Sequence, residues 1–331
     1  SFLAGGTVIA VVPGRCDEDD DASDEPPLDG VIGQSLPMRR LARAVRKLAA
    51  LRAPVLIRGE TGTGKELVAR ALHQLGPRGR GPFVPINMGS ISPDLADGEL
   101  FGHERGAFTG AVASRLGAFE SARGGTLFLD EVAELPPLAQ SKLLRALENG
   151  EVRPLGTSQP RQVDVRVVAA SWASLEELMP QGAFREDLFH RLAVLTVQVP
   201  PLRARPIDIA LLARHFLASQ ASEVGSKTLT GGAISRLSAH PWPGNVRELK
   251  NVLLRAAVTA VEPSITSEHI DQALAPFQSA PQPSLDQRRR EAQRALDQHR
   301  GNRSGAARSL GVARSTFRDW VAPREGGKKK R

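Results

Sequence analysis

The 331-residue sequence contains a single cysteine, Cys16. No internal disulfide can form, which fits a reducing, cytoplasmic compartment. No apolar run approaches the ~18 residues that a membrane span requires, so no membrane partner is expected. Residues 1–12 are apolar but lack the basic front end of a signal peptide. The seven histidines are scattered, with no pair at ligand spacing, which counts against a metal-dependent hydrolase. Internal repeats are also missing. What is present is ordinary: 41% hydrophobic and 24% charged residues, enough apolar mass for a real core. At ~100–200 residues per domain, one large domain with one or two small ones is expected.

Charge is unevenly spread. Residues 1–29 carry one Arg against eight acids, whereas residues 278–331 carry 14 basic residues against five acids. Cations gathered in a short end segment point to a polyanion, most simply nucleic acid. The acidic stretch DEDDDASDEPPLD reads as a disordered linker. The chain begins at Ser1 rather than at methionine, as a fragment of a longer protein would. Residues 1–12 suit either the last strand of a missing domain or an unstructured leader.

From residue 30 onward, short apolar runs alternate with helical patterns. Residues 55–57, 83–86, 126–129, 163–170 and 194–199 read as buried strands. Residues 35–51, 66–75, 138–148 and 186–192 read as helices. The alternation argues for a mostly parallel sheet covered on both faces. After Pro206 only helices are expected, over 207–221, 233–240 and 246–261. A polar, proline-bearing linker at 278–284 separates this smaller helical domain from the basic end segment.

GETGTGKE, residues 59–66, follows one predicted strand and opens a helix. In that context Gly59, Gly62 and Gly64 let the backbone aim amides at phosphate oxygens, with Glu60, Thr61 and Thr63 between them. Lys65 supplies a full charge to the outer phosphates of ATP. Glu66 stands where the general pattern has a Ser or Thr that helps to hold Mg2+. GGTLFLDEV, residues 124–132, is an apolar strand ending in two acids. Asp130 would hold Mg2+ through water, and Glu131 would orient or deprotonate the attacking water. Asn87 ends the strand FVPIN, where its amide is placed to bond Glu131.

These motifs identify a family. ELFGHERGAFTGA, residues 99–111, contains GAFTGA, and the chain resembles the AAA+ activators of sigma-54-dependent transcription. GETGTGKE with its Glu66, GGTLFLDE, FREDLFHRL, PPLRAR and WPGNVREL match the same family, over roughly residues 30–322. The resemblance implies an α/β fold: a P-loop AAA+ parallel sheet with a helical lid domain, plus a small all-α helix-turn-helix domain. It implies that the loop Gly106, Ala107, Phe108, Thr109, Gly110 and Ala111 contacts sigma-54, chiefly through Phe108 and Thr109. It implies that Arg185 and Arg191 are arginine fingers reaching a neighbouring subunit, so a self-assembled ring, a hexamer by family analogy, is expected. Arg247 matches the lid arginine that senses nucleotide, and Trp242 is expected to pack the lid. One departure concerns Ser171 and Trp172, which stand where the family has Thr and Asn.

The last segment resembles the Fis-type module that ends this family. Residues 285–300 read as a helix with Ala292, Ala295 and Leu296 on its apolar side. A helix at 304–310, a stop at Gly311 and a helix at 314–321 follow, at helix-turn-helix spacing. Arg303, Arg314, Ser315, Thr316 and Arg318 are the candidates for DNA contact. Ala313, Asp319 and Pro323 depart from the usual pattern through a missing cap, an acid on the recognition helix and an early stop.

The expected layout is an acidic leader at 1–29, an ATPase core at 30–205, a lid at 206–277, a linker at 278–284, a DNA-binding module at 285–322 and a basic tail at 323–331. The expected function is a transcription activator that binds double-stranded enhancer DNA. It would use ATP hydrolysis to remodel sigma-54 RNA polymerase into the open complex. A DNA-bound regulator that uses nucleotide only as an assembly switch is the rival, kept alive by Trp172.

Overall fold

The computed structural model describes residues 25–107 and 113–278, together with Ala292, Ala295 and Leu296. Phe108, Thr109, Gly110, Ala111 and the DNA-contact candidates Arg303, Arg314, Ser315, Thr316 and Arg318 lie outside the described residues. The chain divides into two compact units, Ser1–Asp271 and Gln272–Arg331.

The first unit is built on five parallel strands: β1 (Val55–Arg58), β2 (Phe83–Asn87), β3 (Thr126–Asp130), β4 (Arg166–Ser171) and β5 (Leu195–Gln198), in the order β2-β3-β4-β1-β5. Alternation along each strand sends side chains to opposite faces. Leu56, Leu127, Leu129, Val167 and Ala169 join one buried cluster. Val55, Ile57, Phe128, Val168, Ala170, Leu195 and Val197 join the other. Both faces are thus apolar, and each is covered by helices, as parallel pairing demands.

Helices α1 (Leu36–Ala49) and α2 (Lys65–Gln74) supply buried side chains to the second cluster, among them Leu41, Val45, Val68 and Leu72. Helices α3 (Pro93–Phe101), α4 (Pro137–Asn149) and α5 (Glu186–Leu192) supply the first, with Leu100, Phe101, Leu143 and Leu188. The lid follows as α6 (Ile207–Ser219), α7 (Gly231–Ala239) and α8 (Asn245–Thr259). Trp242 is fully buried, and its indole N–H donates to the Leu237 carbonyl at 2.8 Å, so it packs the lid as expected. In the second unit, positions 292, 295 and 296 are helical; Ala292 and Ala295 are buried and Leu296 is half-buried.

The expectation of helices alone after Pro206 is corrected: Thr228–Leu229 and Ser264–Ile265 pair as two short parallel strands, too brief to give a periodic signal. Two further differences from the expected elements have local causes. The strand expected to open at Val163 begins at Arg166, because Val163 donates its N–H to Gly150 outside the sheet. Helix α3 was not expected: PDLADGELF carries Gly98 and no clean apolar period. It forms on Pro93 at its first turn and on the burial of Ala96, Leu100 and Phe101.

Arg166 ties helices to the sheet. It is 3% exposed and donates to the carbonyls of Leu48 at 2.8 Å, Ala49 at 3.0 Å and Leu72 at 3.3 Å. These carbonyls lie at the C-terminal ends of α1 and α2, where helices leave acceptors unpaired and partial negative charge accumulates. Arg166→Met removes these donors while keeping the apolar stem. It is expected to lower stability by about 3 kcal/mol, read as a shift of the urea midpoint at unchanged slope. An unchanged midpoint would show that the carbonyls find other donors.

Candidate active site

Parallel strands put all their carboxyl ends on one edge, and Asn87, Asp130 and the loop after β1 lie there. The loop between β1 and α2 passes through Gly62 and Gly64 at φ 79° and 102°, left-handed conformations that favour glycine. A side chain at Gly62 would also place its Cβ 2.5 Å from the Gly244 carbonyl oxygen of the lid. Lys65 is 8% exposed and its Nζ donates to the loop carbonyls of Gly59 at 2.8 Å and Glu60 at 3.2 Å. Thr63 Oγ1 donates to the Glu60 carbonyl at 2.8 Å. Burial holds the Lys65 ammonium below its ordinary pKa, with Asp130 and Glu131 pulling it up and Arg247 pushing it down. A buried cation, an unpaired helix N-terminus and a glycine turn form a cradle for a phosphate chain.

Glu66 is turned away from this cradle. Its carboxylate accepts from Arg70 at 2.8 and 3.1 Å on the exposed face of α2. Asp130 and Glu131 close β3. The Glu131 N–H donates to Asp130 Oδ1 at 3.0 Å, and Glu131 sits at φ 55°. A non-glycine residue held there stores strain of about 1–3 kcal/mol, a feature that clusters at functional positions. Asp130 offers a hard carboxylate oxygen beside a phosphate cradle. Among the described residues no group of three or more His, Cys, Asp or Glu could hold a metal ion. That donor set suits Mg2+, which binds through one or two carboxylates, water and substrate phosphate rather than a protein cage.

Asn87 requires a correction. Its amide donates to Asp130 Oδ2 at 3.4 Å, not to Glu131. The register pairs Asn87 with Asp130 across β2 and β3, while its Oδ1 accepts from the Ser90 N–H at 3.2 Å. The left-handed turn carries the Glu131 carboxylate against Gly89, where an added Cβ would lie 2.0 Å from Oε2. Ser171 ends β4 buried, with its hydroxyl donating to the Ala173 carbonyl at 2.7 Å, whereas Trp172 is 55% exposed.

The lid meets the loop directly. Val246 donates its N–H to the Gly62 carbonyl at 3.0 Å, and Arg247 lies on the next residue with its Cβ 3.1 Å from where a Gly62 side chain would begin. Asn245 donates through Nδ2 to Glu60 Oε2 and the Thr61 carbonyl, both at 3.1 Å, and accepts from the Leu202 N–H at 2.8 Å. Arg203 grips Glu60 with two bonds of 2.7 and 2.5 Å. Arg203 pairing holds the Glu60 carboxyl down at about 2, against burial and with help from Asn245. Buried Arg205 donates to the Thr63 carbonyl at 3.2 Å. Sequence reasoning missed Arg203, Arg205 and Asn245. PPLRAR and PGNVREL stood out as motifs, but nothing local shows that they face the loop.

Arg185 and Arg191 are exposed at the start and in the last turn of α5. Arg185 bonds Asp187 at 2.7 and 3.0 Å and Ser141 at 3.2 Å. Gly106 and Ala107 rise from a short antiparallel pair, Gly102–His103 with Arg115–Leu116. Gly106 has φ 80° and open space around it, and Ala107 donates its N–H to the Glu104 carbonyl at 3.1 Å. Arg161 braces this stem by pairing with Glu104 and with Glu120, the latter at 2.9 and 3.0 Å.

Comparison with known proteins decides the family. Residues 31–198 match the sigma-54 interaction domain, and residues 203–287 match an AAA+ ATPase lid domain. The chain belongs to the sigma-54 interaction family. It is 49% identical over 259 residues to the DNA-binding transcriptional regulator NtrC of Bradyrhizobium sp., covering 78% of this chain and 53% of that protein. It is 44% identical over 311 residues to the response regulator PilR of Pseudomonas aeruginosa, covering 89% of this chain and 69% of that protein. The crystal structure of NtrX from Brucella abortus in complex with ADP superposes at TM-score 0.69 with 34% identity, covering 87% of this chain and 68% of that one. The chain thus spans between about half and two thirds of the length of these relatives. Its fold is the P-loop AAA+ parallel sheet with a helical lid. None of the helices among the described residues is long and apolar enough to cross a membrane.

In this family member the Glu60 pairing has a definite pH sign. Its folded pKa, about 2, lies below the ordinary 4.5, so the pairing stabilises above pH 4.5 and is lost as pH falls toward 2. Glu60→Gln is expected to flatten the loss of stability across that window, measured by urea unfolding at stepped pH. Parallel curves for the two proteins would show that the pairing contributes nothing, as exposed ion pairs often do.

Proposed function

We propose that this chain is an ATP-hydrolysing activator of sigma-54-dependent transcription, with the working parts in named places. The observation that carries it is the left-handed glycine turn that buries Lys65 at the end of β1 and meets the lid through Val246 on Gly62, in a member of the sigma-54 interaction family. The amides of the 59–66 loop and Lys65 bind the ATP phosphates. Asp130 holds Mg2+, which offsets phosphate charge when bound. Glu131 orients the attacking water as general base, and Asn87 positions the carboxylate pair through Asp130. Arg247 reports phosphate occupancy to the lid.

Arg185 and Arg191 face outward, as residues that complete a neighbour's site must. A head-to-tail interface that closes on itself makes such a ring, with six copies by family analogy. The braced hairpin stem presents Gly106 and Ala107, and with them Phe108, Thr109, Gly110 and Ala111, to sigma-54 RNA polymerase. Residues 285–322 form a helix-turn-helix module that binds double-stranded enhancer DNA through Arg303, Arg314, Ser315, Thr316 and Arg318. Residues 30–205 and 206–277 are its ATPase core and lid.

Glu131→Gln is expected to keep ATP binding while lowering turnover at least 1,000-fold, on the order of what loss of a catalytic group costs. With ADP and aluminium fluoride the wild-type chain is expected to capture purified sigma-54, and Thr109→Ala to lose capture. Turnover without capture would favour the nucleotide-switch rival, for which exposed Trp172 in place of an amide is the supporting observation. Binding to duplex DNA should weaken steeply with salt, since each neutralised phosphate adds about 0.9 to the logarithmic slope. A nearly flat slope would remove the DNA-binding assignment.

A further inference from the structure

The side-chain hydrogen bonding between α8 and the phosphate loop is concentrated on one residue. Asn245 is 0% exposed and sits at φ 53°, a conformation that non-glycine residues seldom adopt. Its amide joins three segments: Glu60 and Thr61 of the loop, Leu202 between β5 and the lid, and its own helix α8. The polarity is fixed on both ends. Oδ1 must accept, because Leu202 offers an N–H; Nδ2 must donate, because Glu60 and Thr61 offer oxygens. The backbone continues the tie, with Val246 on the Gly62 carbonyl and Arg247 next in line.

We propose that Asn245 is the positioning residue that sets the lid on the phosphate loop, so that loop conformation and the placement of Arg247 are read through one amide. This rests on the nucleotide-binding reading of the loop. Asn245 touches no substrate; it acts through Glu60, Thr61 and Val246. Any displacement of the Glu60 and Thr61 oxygens would oblige α8 to follow or to lose two part-buried hydrogen bonds. Arg203, outside on the same carboxylate, holds Glu60 in the position that Asn245 requires.

The test uses the full chain, a fluorescent ADP analogue and hydrogen exchange. Asn245→Asp keeps size and the acceptor for Leu202 but sets a carboxylate against Glu60. It is expected to weaken ADP binding at least tenfold and to speed exchange at the Val246 amide. Adding Glu60→Gln, whose amide can donate to the new carboxylate while the Thr61 carbonyl stays opposed, should recover at least threefold of the affinity lost. Tenfold loss without rescue, or no loss, overturns the proposal. Should residue 245 changes unfold the lid, shown by lost protection across 249–257, Arg203→Ala decides. It must weaken ADP binding at least threefold, and unchanged affinity overturns the proposal. A wild-type chain that binds no ADP would instead remove the nucleotide-site reading itself.

Discussion

Parallel register is the constraint on which the rest of this molecule depends. With every strand of the main sheet running the same way, all carboxyl ends share one edge, and the last residues of neighbouring strands meet there. Asn87 faces Asp130 because β2 and β3 pair residue for residue from Phe83 with Thr126 onward. Arg58 faces Ser171 for the same reason, and the Gly59 N–H donates to the Ser171 carbonyl at 3.3 Å. A slip of one residue would exchange the two buried faces and rotate these polar ends out of the edge. The apolar alternation that builds the core therefore also places the chemistry.

The opposite edge is held by different means. Arg166 enters β4 from that side and satisfies carbonyls at the ends of two helices with one guanidinium. Burying such a charge is costly, and burial indeed holds Arg166 below its ordinary pKa. The helix C-termini supply the negative counterpart that makes the position tolerable. Asp208 plays a similar role for the lid: 1% exposed at the start of α6, it accepts from the Gln34 and Ser35 N–H groups at 2.7 and 3.0 Å and from the Ser35 hydroxyl at 2.6 Å. Buried polar groups thus join elements far apart in sequence, while the apolar clusters fill the space between them.

What could be read in the sequence was whatever repeats over a few residues. The five strands, α2 and the lid helices announce themselves by period and by the turns between them. The loop at 59–66 and the acids at 130 and 131 are legible because each motif is contiguous. The remainder is non-local. Glu60 and Arg203 are 143 residues apart, and Asn245 and Glu60 are 185 apart. No window of sequence contains both partners. Arg161 joins Glu104 and Glu120 across 57 and 41 residues from a two-residue strand that gives almost no periodic signal. The error at Asn87 has the same origin, since the choice between two adjacent acids depends on strand register and on one left-handed residue.

The placement of the hairpin stem follows from the same sheet edge. From Asn87 the chain makes the Met88–Ser90 turn, runs through α3 and reaches the stem at Gly102. Met88, Ala96, Leu100 and Phe101 are all buried along this path, and Phe101 stacks on Phe119 with ring centroids 5.8 Å apart. Close-packed side chains transmit displacement rather than absorbing it. At Gly102 a side chain would crowd the Arg115 carbonyl and the Gly117 nitrogen, each at 2.7 Å, so the two arms of the stem approach as closely as backbones can. The segment from Asn87 to the stem is held at both ends, by Asn87 on Asp130 and by Arg161 on Glu104, with residues 92–95 exposed between the buried Met88 and Ala96. A flexible linker in place of α3 would remove the buried Ala96, Leu100 and Phe101 that fix where the stem leaves the core.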